Sequence, residues 1–176
     1  LNNFQTDKHR MRVYTYKGMK DTTLTPWDSV KHYKSFLQVG FMAMEPYTGY
    51  VRAWVGGSNF EYFKVDHCNY NTRRQVGSTF KPIVYALAVD NGWSTCDVFT
   101  PGMVTIGNWH PKGGSGGPQT LKYALTKSNN QMAAYIIKNF GVPATIDLSR
   151  KMGINSDLPP YATLCLGAAD ISLQEM

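Results

Sequence analysis

Apolar and polar residues alternate most clearly in "YVRAWVGG", residues 50–57, where Val51, Ala53 and Val55 interleave with Tyr50, Arg52 and Trp54. A period of two is that of a strand. The apolar run "LQVGFMAM" (37–44) precedes it, and "EPYTG" (45–49) places Pro46 and Gly49 between the two. Turn residues between two strand patterns predict a β-hairpin, here at the edge of a larger sheet. Residues 1–36 are polar, basic and rich in Thr and Tyr, with Gly18 and Pro26 as breakers. This stretch reads as irregular or weakly stranded. Its end, "TPWDSVKHYKSF" (25–36), predicts a short helix with Thr25 as cap and Pro26 in the first position. Residues 58–76 read as loop.

The period then changes. In "RRQVGSTFKPIVYALAVDNG" (73–92) a helix is predicted to begin near Gly77 and to end at Asn91-Gly92. Its apolar positions run almost all the way round, which predicts burial. "GGSGGPQ" (113–119) is a glycine-rich loop without the lysine or the strand-to-helix context of a phosphate loop. A helix follows from Thr120, a second covers 131–141 and a third 143–153, the last two closed by Gly141 and Gly153. "DISLQEM" carries Ser172 and Glu175 in capping-box spacing, which predicts one more helix start. A hairpin followed mostly by helices gives an α+β class with an incomplete sheet.

Composition narrows the function classes. Hydrophobic content of 43% and charged content of 17% are globular values. The net charge of +6 is spread out, with no block of like charge and no aromatic–basic recognition motif, so no nucleic-acid partner is expected. Cys68, Cys96 and Cys165 show no metal-ligand spacing, and an odd count argues against a disulfide framework. No metal and no cofactor are expected. The chain begins at Leu1, and no run of about 18 apolar residues is present. The expectation is a piece of a longer protein, with nothing in these residues that spans a membrane.

Candidate chemistry starts at Ser78 and Lys81. Pro82 is tolerated only in the first turn of a helix, so Ser78 stands at the helix start, where free N–H groups gather. An oxyanion formed on a carbonyl attacked by Ser78 would meet those donors. Lys81, three residues on, shares a face with Ser78 and lies among Phe80, Pro82 and Ile83. Burial there disfavours the charged amine and makes it a base. A capping serine beside a surface lysine explains the same residues. A second element, "ALTKSNNQ" (124–131), puts Ser128 and Asn130 in a break between two apolar helices. The hydroxyl can relay a proton and the carboxamide can bind a peptide group. A polar interhelical turn is the plainer reading of it.

"RRQVGSTFKP" followed by "ALTKSNN" resembles the transpeptidase domain of penicillin-binding proteins, especially the bifunctional class A kind. "MEPYTGYVRAWVGG", "GNWHPK" and "LGAADISLQEM" resemble the family's hairpin, cleft-side segment and following helix start. The resemblance runs from about Phe36 to Met176. It implies a β-lactamase/transpeptidase-like fold, incomplete, with the hairpin and helical subdomain present and later sheet strands missing. Residues 1–35 would be a connecting segment and 36–176 a partial transpeptidase domain. Ser78 would be the acylated nucleophile, Lys81 its base, Ser128 the proton shuttle and Asn130 the holder of the substrate backbone. Trp109 and Thr79 would contact substrate. The implied partners are a peptidoglycan stem peptide ending in D-Ala-D-Ala, and β-lactams. The implied place is the periplasmic side of the bacterial inner membrane, with membrane contact only through an upstream anchor, in a parent that also carries a glycosyltransferase.

The family's third motif, Lys-Thr/Ser-Gly, is not found: "YKGMK" and "RKMG" lack its form. In the family it follows the segment at which this chain ends. Gly113 stands where many relatives have Asn. A serine β-lactamase is the nearest rival, but Asp147, Asp157, Asp170 and Glu175 all lack the Glu-x-x-Leu-Asn setting of its water-activating acid. A penicillin-sensing module and a non-catalytic scaffold compete with the transpeptidase as well.

Overall fold

The computed structural model describes residues 2–176, which divide into two compact units, up to Cys68 and from Asn69 on.

The first unit contains helix α1 (Asn2–Thr6), strands β1 (His9–Thr15) and β2 (Gly18–Leu24), helix α2 (Pro26–Lys34), and strands β3 (Phe41–Met44) and β4 (Val51–Val55). β1 and β2 pair antiparallel from His9↔Leu24 to Thr15↔Gly18. Residues 9–24 are therefore a regular hairpin, where the sequence reads only as irregular or weakly stranded. The pattern conceals it because Val13 is the one buried apolar side chain on these strands. Gly18, with φ +106°, makes the turn that a Cβ would strain. α2 starts as expected: Thr25 accepts from Asp28 N–H and Pro26 occupies the first turn. β3 and β4 form the second hairpin, with a register shift between Ala43 and Met44. The first strand begins four residues later than the apolar run, and the sheet has two strands among the described residues. Cys68 packs behind it, its thiol 3.4 Å from Phe41 O and 3.3 Å from Val55 O.

The second unit opens with β5 (Arg73–Gln75), a 3₁₀ turn (Gly77–Phe80) and helix α3 (Lys81–Asp90). After short strands β6 (Val98–Phe99) and β7 (Gln119–Thr120) come helices α4 (Leu121–Thr126), α5 (Asn130–Phe140) and α6 (Val142–Lys151), a second 3₁₀ turn (Ala162–Leu166) and β8 (Asp170–Ser172). β5 pairs with β8 across about a hundred residues of chain, so no local pattern could announce it. α5 is the centre: Met132, Ala133, Ala134 and Ile136 are fully buried in one cluster with Phe80 of the 3₁₀ turn, Val84 and Ala88 of α3, and Leu164. The small alanines let the helices approach closely. α3 buries Val84, Tyr85, Leu87 and Ala88 but leaves Pro82 and Val89 outside, so it is one-sided rather than enclosed.

Two further expectations change. The α-helix proper starts at Lys81, not at Ser78, because a 3₁₀ turn supplies the entry. Residues after Ser172 form a turn, not a helix. Half of the capping-box geometry is there, since Glu175 Oε2 accepts from Ser172 N–H at 3.2 Å. The same carboxylate also accepts from the hydroxyls of Ser156 and Ser172 and the N–H groups of Asn155 and Ser156. Glu175 thus ties the turn to the 155–156 loop instead of beginning a helix.

Candidate active site

The first turn of α3 and the loop before α5 meet at Lys81. This side chain is 1% exposed. Its ammonium donates to Ser128 O at 2.5 Å, Ser128 Oγ at 3.0 Å and Asn130 Oδ1 at 2.6 Å. Three donors meet three acceptors, which is how a buried ammonium is tolerated.

Local structure explains each position. Asn129 caps α5, its Oδ1 accepting from Met132 N–H at 3.1 Å, so Asn130 begins the helix. Ser128 has φ +50°, the single non-glycine residue in the left-handed region among those described. That conformation costs roughly 1–2 kcal/mol for an L-residue. Here it lets one residue turn both its carbonyl and its hydroxyl to Lys81. Strained backbone of this kind gathers at functional sites.

Ser78 sits on the 3₁₀ turn and is exposed. Among the described residues no hydrogen bond joins its hydroxyl to the Lys81 cluster, and its backbone N–H has no partner. The turn is fixed from behind. Gly77 N–H donates to Gly167 O at 3.0 Å, and Val76 N–H to Ala169 O at 3.1 Å. A Cβ on Gly167 would run into the Gly77 carbonyl. Thr79 is exposed and its hydroxyl donates to Val76 O at 2.7 Å, so it serves the turn. Trp109 is half-buried and lies in a cavity of about 490 Å³ with Asn108, His110, Pro111, Lys112, Asn130 and Leu166. The structure therefore gathers Lys81, Ser128 and Asn130 at one point, puts Trp109 beside Asn130, and leaves Ser78 open to solvent.

Electrostatics follow from burial. Desolvation pushes the Lys81 ammonium below its ordinary value, while a negative charge on Cys165 would oppose that shift. Burial raises the Cys165 thiol to about 12, so it is uncharged at neutral pH and offers little opposition. Tyr85, one helical turn after Lys81, is also raised by burial, and its hydroxyl has no partner. The lysine thus has a neutral thiol near it, and Tyr85, neutral as well, follows one turn further along α3. The sequence does not single them out, because an apolar-looking run hides both.

Two amides beside the motif carry no signal of their own in the sequence. Asn129 donates to Ser115 O and Gln119 Oε1, both at 2.9 Å. Gln131, fully buried, bonds the backbone of residues 104, 111 and 113. A polar run at a helix start looks like a cap, and nothing in the run itself says what it grips.

Residues 39–159 match the family described as "Penicillin binding protein transpeptidase domain", and residues 1–37 match "Penicillin-binding protein middle domain". The chain belongs to the penicillin-binding protein transpeptidase family. It is 31% identical over 153 residues to Penicillin-binding protein 1A of Pseudomonas aeruginosa, covering 79% of this chain and 18% of that protein. It is 34% identical over 145 residues to Penicillin-binding protein 1A of Neisseria meningitidis, covering 76% and 18%. The crystal structure of Penicillin-Binding Protein 1A from Haemophilus influenzae superposes with a TM-score of 0.73 at 22% identity, over 94% of this chain and 25% of that one. PonA1 from Mycobacterium tuberculosis in complex with penicillin V gives 0.67 at 21% identity, over 85% and 45%. The fold is therefore that of the penicillin-binding transpeptidase domains, of which this chain is a part. The chain spans about a fifth of the length of the curated relatives it matches.

Proposed function

We propose that this chain carries the acylation half of a serine D-Ala-D-Ala transpeptidase site, which cross-links peptidoglycan stem peptides and is acylated by β-lactams. The observation that carries the reading is the buried Lys81, held between Ser128 and Asn130 in the helix turn after an exposed serine.

The chemistry follows from that geometry. The three bonds of Lys81 are those of its ammonium. Loss of one proton frees a lone pair, while two N–H groups still hold Ser128 O and Asn130 Oδ1. The neutral amine takes the Ser78 hydroxyl proton as Oγ attacks the carbonyl carbon of the penultimate D-Ala. The Ser78 N–H is free to meet the oxyanion. Lys81 returns the proton through Ser128 Oγ, 3.0 Å away, to the amine of the departing D-Ala as the C–N bond breaks. An acceptor amine from a second stem peptide then attacks the Ser78 ester and frees the serine. Asn130 and Trp109 border the cavity that takes the donor peptide. In a β-lactam, the ring amide replaces the D-Ala-D-Ala bond.

Glu175, tied to Ser156 and Ser172, is not set up as a base for hydrolysis. Burial acts to raise its carboxyl, but donors from Ser156, Ser172 and the backbone of Asn155 outweigh this and bring it down to about 2. A carboxylate so held is a weak base for deacylating water. The extracytoplasmic, membrane-anchored setting belongs to this proposal; no described helix is long and apolar enough to cross a membrane. The test is acylation by a fluorescent penicillin. Wild type is expected to be labelled and Ser78→Ala not; equal labelling of both, or of neither, contradicts the proposal.

A further inference from the structure

We infer that Gln131 is a positioning residue that sets affinity for the part of the donor substrate lying against Trp109. The inference rests on the proposed transpeptidase site.

Gln131 lies in the first turn of α5, next to Asn130, and is fully buried. Its Oε1 accepts from Val104 N–H at 2.9 Å. Its Nε2 donates to Pro111 O at 3.1 Å and Gly113 O at 3.2 Å. One amide therefore holds both ends of the 104–113 loop. The orientation is forced, because a flipped amide would set its NH₂ against an N–H and its oxygen against two carbonyls. Between the two grips the loop closes on itself through Ile106 and Trp109, which exchange backbone hydrogen bonds of 2.9 and 3.1 Å. Asn130 adds a bond from Nδ2 to Lys112 O at 2.7 Å. The wall of the 490 Å³ cavity, Asn108 to Lys112, is thus fixed to the helix that carries Asn130. An apolar side chain would fill the space but would leave one N–H and two carbonyls without partners in a buried place.

Gln131 is not one of the residues that bond Lys81. Its loss should move the wall and leave the proton path in place. The effect belongs in substrate affinity rather than in the acylation step.

The experiment compares wild type with Gln131→Leu and Gln131→Glu, which is isosteric and keeps only the Val104 bond. Two agents are used: a stem-peptide thioester that reaches along the cavity, and the bare penicillin nucleus without a side chain. Expected for both variants is a dissociation constant for the thioester raised about tenfold, with the limiting acylation rate within about twofold. Reaction with the bare nucleus should be unchanged. Amide exchange over residues 104–113 should be about tenfold faster, with α3 and α5 protected as before. Unchanged thioester affinity, or an equal loss with both agents, overturns the inference. So does a failure of both variants to fold, because Gln131 then holds the core and not the loop. A wild type that accepts neither agent sinks the proposed function instead, and the exchange over 104–113 still decides whether Gln131 holds the loop.

Discussion

Lys81 concentrates the energetics of the site in one side chain. It is charged in the bonded arrangement and must be neutral to act as a base, and burial brings the two states closer together. Replacing it with alanine removes the proton acceptor and leaves Ser128 O and Asn130 Oδ1 without their donor. Acylation of Lys81→Ala by penicillin should fall by about 10²–10⁴-fold, measured as the second-order labelling rate. A fall of less than tenfold would mean another base. The pH dependence has a definite sign. The folded-state pKa lies below the ordinary 10.5, so the labelling rate should rise with pH and level off before that value. Over the same window the unfolded chain binds more protons at this lysine, so stability should also rise with pH. A rate that is flat, or that falls as pH rises toward 10, contradicts the role.

At the scale of elements, the site depends on how the 3₁₀ turn enters α3. Gly167 presses its backbone against Gly77, with no room for a methyl group, and itself has φ +75°. Gly167→Ala should cost more than about 1 kcal/mol by urea denaturation and should slow labelling of Ser78 as well, since the turn that presents it must shift. Loss of stability with full labelling would show that the turn tolerates displacement. Much of this level is legible in the sequence. Helix periods mark α4, α5 and α6 with their caps, and the spacing of Ser78, Lys81, Ser128 and Asn130 marks the two elements that meet. What stays hidden is physical in each case. β5 and β8 are three residues long and pair across the whole unit. β1 and β2 bury too little to show an alternating face. Gln131 reads as one more polar residue at a helix start, because its partners are backbone atoms about twenty residues away.

At the scale of the molecule, a single carboxylate gathers distant parts of the second unit. In the second unit Glu175 joins Tyr70, the 155–156 loop and Ser172. Its carboxyl stays ionised down to about 2, against an ordinary 4.5. The unfolded chain therefore binds the proton first, and this stabilisation is present above about 4.5 and lost as pH falls toward 2. The urea midpoint should drop across that interval, and Glu175→Gln should flatten the drop; an unaltered acid profile would remove Glu175 from the account. In the first unit, β3 and β4 leave Phe41 57% and Val55 48% exposed on a two-stranded sheet.

A serine activated by Lys81 within the cluster of Ser128 and Asn130 should form a stable ester with a β-lactam. Intact-mass measurement after incubation with benzylpenicillin tests it most directly, on wild type, Ser78→Ala and Lys81→Ala side by side. Expected are one stable adduct of a single penicillin on wild type, none on Ser78→Ala, and only slow accumulation on Lys81→Ala. An adduct that persists on Ser78→Ala, or a folded wild type that takes up no penicillin, would contradict it.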